Sequence, residues 1–167
     1  MLDKIDIAAA VARAKTLVAQ PQTPAPITNV TFTQLESKVW AVRETPTPKI
    51  RRSEADEQAD LFRWLRTEGR ALGYIAHSVP NDASSDPERL GKLKQTGLTP
   101  GAPDLYVFAP GVNLAIEMKK SNGKLSDLAP HQEGFLSVLA DLPNWISCVC
   151  FGYTAARAAI SRWLPRD

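Results

Sequence analysis

Residues 101–119 read GAPDLYVFAPGVNLAIEMK, two apolar runs either side of Pro110-Gly111-Val112. DLYVFA (104–109) and NLAIEMK (113–119) are each strand-like, and so short a connection makes them a β-hairpin. Alternation along the second run puts Leu114, Ile116 and Met118 on one face and Ala115, Glu117 and Lys119 on the other. A turn at Pro110-Gly111 sets Asp104 opposite Glu117. Two carboxylates and one ammonium group are then expected to converge at one end of a sheet.

Facing carboxylates repel unless a proton or a cation lies between them. Hard oxygen donors without thiolate or imidazole select Mg²⁺ or Mn²⁺. The ion's remaining positions fall to the Met118 carbonyl, to waters and to a phosphate oxygen of a substrate. Such an ion binds a scissile phosphate, acidifies a water and offsets transition-state charge, while Lys119 on the same face can hold the water or the phosphate.

Outward from the hairpin, Ser53-Glu54-Ala55-Asp56 has the pattern of a capping box. Glu54, Gln58, Leu61 and Leu65 then share one face of a helix expected over about 54–71, ending near Gly73. YIAHSV (74–79) reads as a strand that Pro80-Asn81 stops, and Pro87 opens a short helix through Lys94. Past the hairpin, Pro130 begins a helix with an apolar stripe expected at Phe135, Val138, Leu139 and Leu142. WISCVCF (145–151) suits an interior strand, and TAARAAISRWL forms a last helix burying Ala156, Ile160, Trp163 and Leu164. The order is that of an α/β domain, a mixed sheet of about four strands flanked by helices.

Residues 1–50 differ. Helical spacing from Leu2 to Thr16 gives way to Pro21, Pro24 and Pro26, then to a stretch rich in β-formers from Asn29 to Val42. They read as an N-terminal arm of helix, proline-rich linker and extended chain ahead of a domain at 51–167.

At 167 residues, 44% hydrophobic and 23% charged, the chain can bury a core without staples, which excludes collagen, disulfide scaffolds and wholly disordered proteins. A net charge of +2 does not by itself announce nucleic acid or a membrane, so any such partner must be argued from a site. Charges at Asp3, Asp6, Arg13 and Lys15 break the first apolar run, and the expectation is a protein of the cytoplasm with no membrane partner. Cys148 and Cys150, at i and i+2, read as buried small hydrophobes rather than a disulfide.

Pro103-Asp104 followed by Glu117-Met118-Lys119 resembles the PD-(D/E)XK nuclease signature. Flanking pieces narrow the resemblance to the virus-type replication-repair nuclease (VRR-NUC) domain: Glu54 and Gln58, Pro80-Asn81, Gly101 to Asp104, Gly123-Lys124-Leu125-Ser126 and Gln132, in that order. The match covers about residues 53–165, and Asp82 departs from it where many relatives have Gly.

The resemblance implies a restriction-endonuclease-like core and a metal-dependent DNA endonuclease, bacterial or phage-encoded, with Mg²⁺ or Mn²⁺ as cofactor. Its substrate would be branched DNA such as Holliday junctions or flaps, and junction resolution would need a homodimer. By the same resemblance Asp104 and Glu117 are metal ligands, Glu54 supplies an additional acidic ligand, Lys119 is the catalytic lysine, and Gln132 positions the water or substrate. Glu57 rivals Glu54, which is preferred because it shares a face with Gln58 and Leu61. Gln58, Asn81, Lys94, Lys120 and Lys124 are the expected substrate contacts. The alternative is a catalytically silent DNA-binding or protein-interaction module that keeps the fold.

Overall fold

The hairpin forms in the expected register. In the computed structural model, which describes residues 27, 29–45, 52–79 and 87–165, strands β4 (Leu105–Ala109) and β5 (Val112–Lys119) pair antiparallel from Leu105↔Ile116 to Ala109↔Val112. Two residues make the turn, and Gly111 takes a φ of 80° there, a left-handed value that glycine tolerates without steric cost. Asp104 lies one residue beyond the last pair, where the register continues to Glu117.

Four further strands complete a six-stranded sheet in the order β1-β2-β6-β5-β4-β3. β3 (Ile75–Ser78) adds antiparallel to β4, and β6 (Trp145–Phe151) adds parallel to the far side of β5. Beyond β6 lie β2 (Trp40–Glu44), parallel to it, and β1 (Val30–Gln34), antiparallel to β2. The sheet is therefore larger than the four strands read from the sequence. The two extra strands come from the β-forming stretch assigned to the arm, which enters the sheet as a hairpin. The helix and the proline-rich linker expected before it lie outside the described residues, as do Pro80 and Asn81.

Helices cover both faces. Helix α1 (Glu54–Trp64) continues through a π-helical turn at Leu65–Gly69, and it packs with α4 (Tyr153–Trp163) on one face. Beneath them Leu61, Leu105, Leu114, Ile116, Met118, Cys148, Cys150 and Ile160 are all fully buried. Each side chain of this size contributes about 2 kcal/mol by leaving water, so this layer fixes the register of β5 and with it the facing of Glu117. Both cysteines are free thiols within it.

The other face carries α3 (Pro130–Ala140) over Val39, Ala115, Val149 and Phe151. The stripe expected on α3 holds at Leu139, which packs toward the sheet, and is corrected at Val138 and Leu142. Leu136 is the fully buried residue, while Val138 is 66% and Leu142 46% exposed, because the helix meets the sheet along the line of Gln132 and Leu136. A short helix, α2 (Pro87–Gln95), precedes the loop that leads into β4. No helix among the described residues is long and apolar enough to cross a membrane.

Candidate active site

Four elements, α1, β5, the loop before β4 and the start of α3, deliver polar side chains to the end of the sheet where β4 begins and β5 ends. The capping box at the start of α1 forms, with the Ser53 side chain accepting from the Asp56 amide, and it fixes the first turn that carries Glu54. β5 supplies Glu117 and Lys119 through its alternation. The loop before β4 supplies Asp104, and it passes so close to α3 that a Cβ on Gly101 would lie 2.5 Å from the His131 carbonyl oxygen. With φ at 88° as well, only glycine fits there.

Hydrogen bonds join Lys119, Glu117 and Gln132 and anchor Asp104 to the same strand. Asp104 Oδ2 accepts from the Met118 amide at 2.7 Å, which ties the loop to the strand. Lys119 Nζ donates to Glu117 Oε1 at 2.8 Å and to Gln132 Oε1 at 3.2 Å. Gln132 Nε2 donates to the same Glu117 oxygen. The Gln132 oxygen also accepts from the Ala129 amide at 3.0 Å, so capping of α3 orients the amide with its nitrogen toward Glu117. Gln132 thus acts both as a first-turn helix residue and as a member of the site.

Asp104, Glu117 and Lys119 are all buried. Burial raises the Glu117 carboxyl to about 7; the Asp104 charge adds to the rise, and the bond and charge of Lys119 oppose it. Burial also pushes Glu54 upward, with Lys119 opposing and Asp104 reinforcing. Two donors converge on Glu117 Oε1, whereas Oε2 is buried without a hydrogen-bond partner among the described residues. A buried carboxylate oxygen costs free energy unless something positive meets it.

That orphaned oxygen fits a hard divalent cation, as does the all-oxygen donor set of Asp104, Glu117 and Glu54. Among the described residues no three His, Cys, Asp or Glu side chains close into a ready-made cage. An ion that relies on one or two carboxylates and completes its shell with waters and phosphate is the Mg²⁺ pattern.

The network floors a cleft of about 660 Å³ whose walls include Glu54, Gln58, Lys94, His131 and Gln132. Lys120 is exposed nearby, close enough to act on Glu54, whereas Lys124 is exposed in the turn before α3 and does not line the cleft. Asn81 lies outside the described residues. His131, which the sequence motifs do not single out, stands on the cleft wall. Its position next to Gln132 at the start of α3 is the signal that could have placed it there.

Glu57 is engaged elsewhere. It is buried, and its Oε2 accepts from the Tyr153 amide at 2.8 Å, satisfying a free N–H at the start of α4. Glu57→Ala is therefore expected to lower stability by about 1–3 kcal/mol, measured by thermal or urea unfolding, because the amide and its helix end lose this charged acceptor. Glu54→Gln, at a half-buried position without such a bond, is expected to change it little.

A similar fold is found in a solved structure described as a VRR_NUC domain protein, which matches with a TM-score of 0.53 over 69% of this chain and 90% of that one. The fold is VRR-NUC-like. At 22% identity the likeness is one of fold. No family model matches the chain, and no curated protein matches it. In this VRR-NUC-like frame the hairpin bearing Asp104, Glu117 and Lys119 occupies the middle of the sheet. What the two chains share is this fold.

Proposed function

We propose that the chain is a metal-dependent DNA endonuclease that hydrolyses phosphodiester bonds by in-line attack of water, selecting branched DNA such as four-way junctions or flaps. The observation that carries the reading is the convergence of Asp104, Glu117, Lys119 and Gln132 on one cleft, with a buried Glu117 oxygen left without a partner. Asp104 and Glu117, with the Met118 carbonyl and Glu54, are the groups that would hold Mg²⁺ or Mn²⁺. What such an ion supplies when bound is charge for the scissile phosphate and acidity for the attacking water.

The chain's own residues do the rest. Lys119, fixed by Glu117 and Gln132, presents its ammonium to the phosphate or the water and stabilises the charge that gathers on the phosphoryl oxygens. Gln132 holds Glu117 in place through an amide whose own orientation is set by the helix start. The attacking water gives up a proton to solvent as its oxygen forms the new bond to phosphorus, the bond to the leaving sugar oxygen breaks, and the leaving oxygen takes a proton from solvent. Lys94 and Lys120, at the cleft and its mouth, add cationic contacts for flanking phosphates. Resolution of a symmetric junction needs two such sites, hence a homodimer.

The test is a panel of labelled DNAs (four-way junction, 5′ flap, single strand, plain duplex) incubated with the full chain in Mg²⁺, Mn²⁺ or EDTA. Metal-dependent cutting of branched substrates ahead of plain duplex supports the reading. A chain that binds DNA and cuts nothing in any metal is the silent module instead.

A further inference from the structure

A second groove, of about 1280 Å³, runs between the outer side of α1 with its π-helical extension and the edge strand β3. Arg63, Arg66 and Arg70 lie along this helix and its π-helical extension, and all three turn toward the one groove. All three are exposed, all three line the groove together with His77, and among the described residues no acidic one lines it. Arg63 pairs with Asp60, but Arg52 pairs with the same carboxylate, so the two guanidinium groups outnumber it. Among the described residues Arg66 and Arg70 form no ion pair.

The groove is continuous with the cleft. Ala55, Gln58 and Ser78 form part of the wall of both, so a polymer lying on the carboxylate network can pass between α1 and β3 without leaving the protein surface. From Gln58 to Arg70 the helix advances about 18 Å, long enough for several phosphates of one strand. The groove also presents Ile75, 69% exposed, and Phe62, an apolar lining against which sugars or bases can lie.

We propose that this groove binds the nucleic-acid strand that leads away from the scissile phosphate, with Arg63, Arg66 and Arg70 on successive phosphates. The proposal rests on the nuclease reading of the adjoining cleft. Repeating anionic charge at short intervals is what three arginines along one groove complement, and the shared wall makes the occupant of the cleft and of the groove one molecule.

Each phosphate contact on a single strand contributes about 0.7 to the slope of log affinity against log salt. Binding of a fluorescein-labelled single strand of about 20 nucleotides to the full chain is measured in EDTA across a salt series. The triple variant R63A/R66A/R70A is expected to lower the slope by about 2 and to weaken binding roughly 10- to 100-fold at 0.15 M salt. Lys38→Ala, at an exposed site on the far edge of the molecule, is expected to match wild type. Should the triple variant melt below the assay temperature, R66A/R70A replaces it, with an expected slope change of about 1.4. A variant that keeps the wild-type affinity and slope overturns the proposal, as an acidic protein partner for the groove would predict, while wild-type cleavage in Mg²⁺ would leave the nuclease reading standing. A wild-type chain that neither binds nor cuts nucleic acid overturns both.

Discussion

Lys119→Ala is expected to reduce the single-turnover rate of DNA cleavage by about 10²- to 10³-fold, the cost of removing one preorganised donor from a buried charge-stabilising site. The geometry makes the loss large. Lys119 Nζ is held from two sides, by Glu117 Oε1 and Gln132 Oε1, and its side chain is only 10% exposed, so no neighbouring cation can swing in to replace it. Its stem is buried beside Phe151 on the same face of the sheet, which limits a bulkier substitute. Lys119→Arg keeps the charge but brings a planar fork where a point donor sits, and partial activity is expected from it. A variant that cuts at the wild-type rate, at saturating enzyme and in matched Mg²⁺, would remove Lys119 from the chemistry.

Glu117→Gln is expected to stabilise the metal-free protein at pH 8. Its carboxyl is raised from the ordinary value of 4.5 to about 7. The folded chain therefore favours the protonated acid, and the stabilisation this gives is complete below 4.5. It is lost as pH rises from 4.5 through 7, because the unfolded chain ionises first and the buried carboxylate follows at a cost. The shift corresponds to about 3 kcal/mol of stability lost between those limits. Glutamine has nothing to ionise, so the variant's advantage over wild type should be small at pH 4.5 and reach several degrees of melting temperature at pH 8 in EDTA. Mg²⁺ should reverse the order by stabilising wild type and not the variant. A melting difference that is the same at both pH values would contradict the burial argument.

The part of this architecture legible in the sequence is the part that local rules determine. A two-residue turn fixes the register of its own hairpin, so the juxtaposition of Asp104 and Glu117 follows from residues 104–117 alone. The capping box at Ser53 and the proline at the start of α3 likewise mark helix starts that the structure keeps. What sequence did not yield depends on distant partners. The β1–β2 hairpin looks like an arm until Trp40 is seen beside Cys148 and Val42 beside Cys150, a parallel pairing that nothing near residue 40 encodes.

Glu57 has the same character. Its role is set by the Tyr153 amide at the other end of the domain, so helical spacing could only rank it against Glu54. On α3, apolar residues occupy more than one side, and only the position of the sheet selects Leu136 over Val138. The π-helical turn at Leu65–Gly69, which carries Arg66 into the groove, has no sequence signature that separates it from a continued α-helix.

The most direct test of the carboxylate cluster as a divalent-cation centre is calorimetric titration of Mn²⁺ into the full chain at pH 7.5, for wild type, Asp104→Asn and Glu117→Gln. The geometry predicts saturable binding to wild type that either substitution abolishes or weakens severely, since each removes one of the two buried carboxylates. Binding of equal strength in all three proteins, or no binding to wild type, would contradict it.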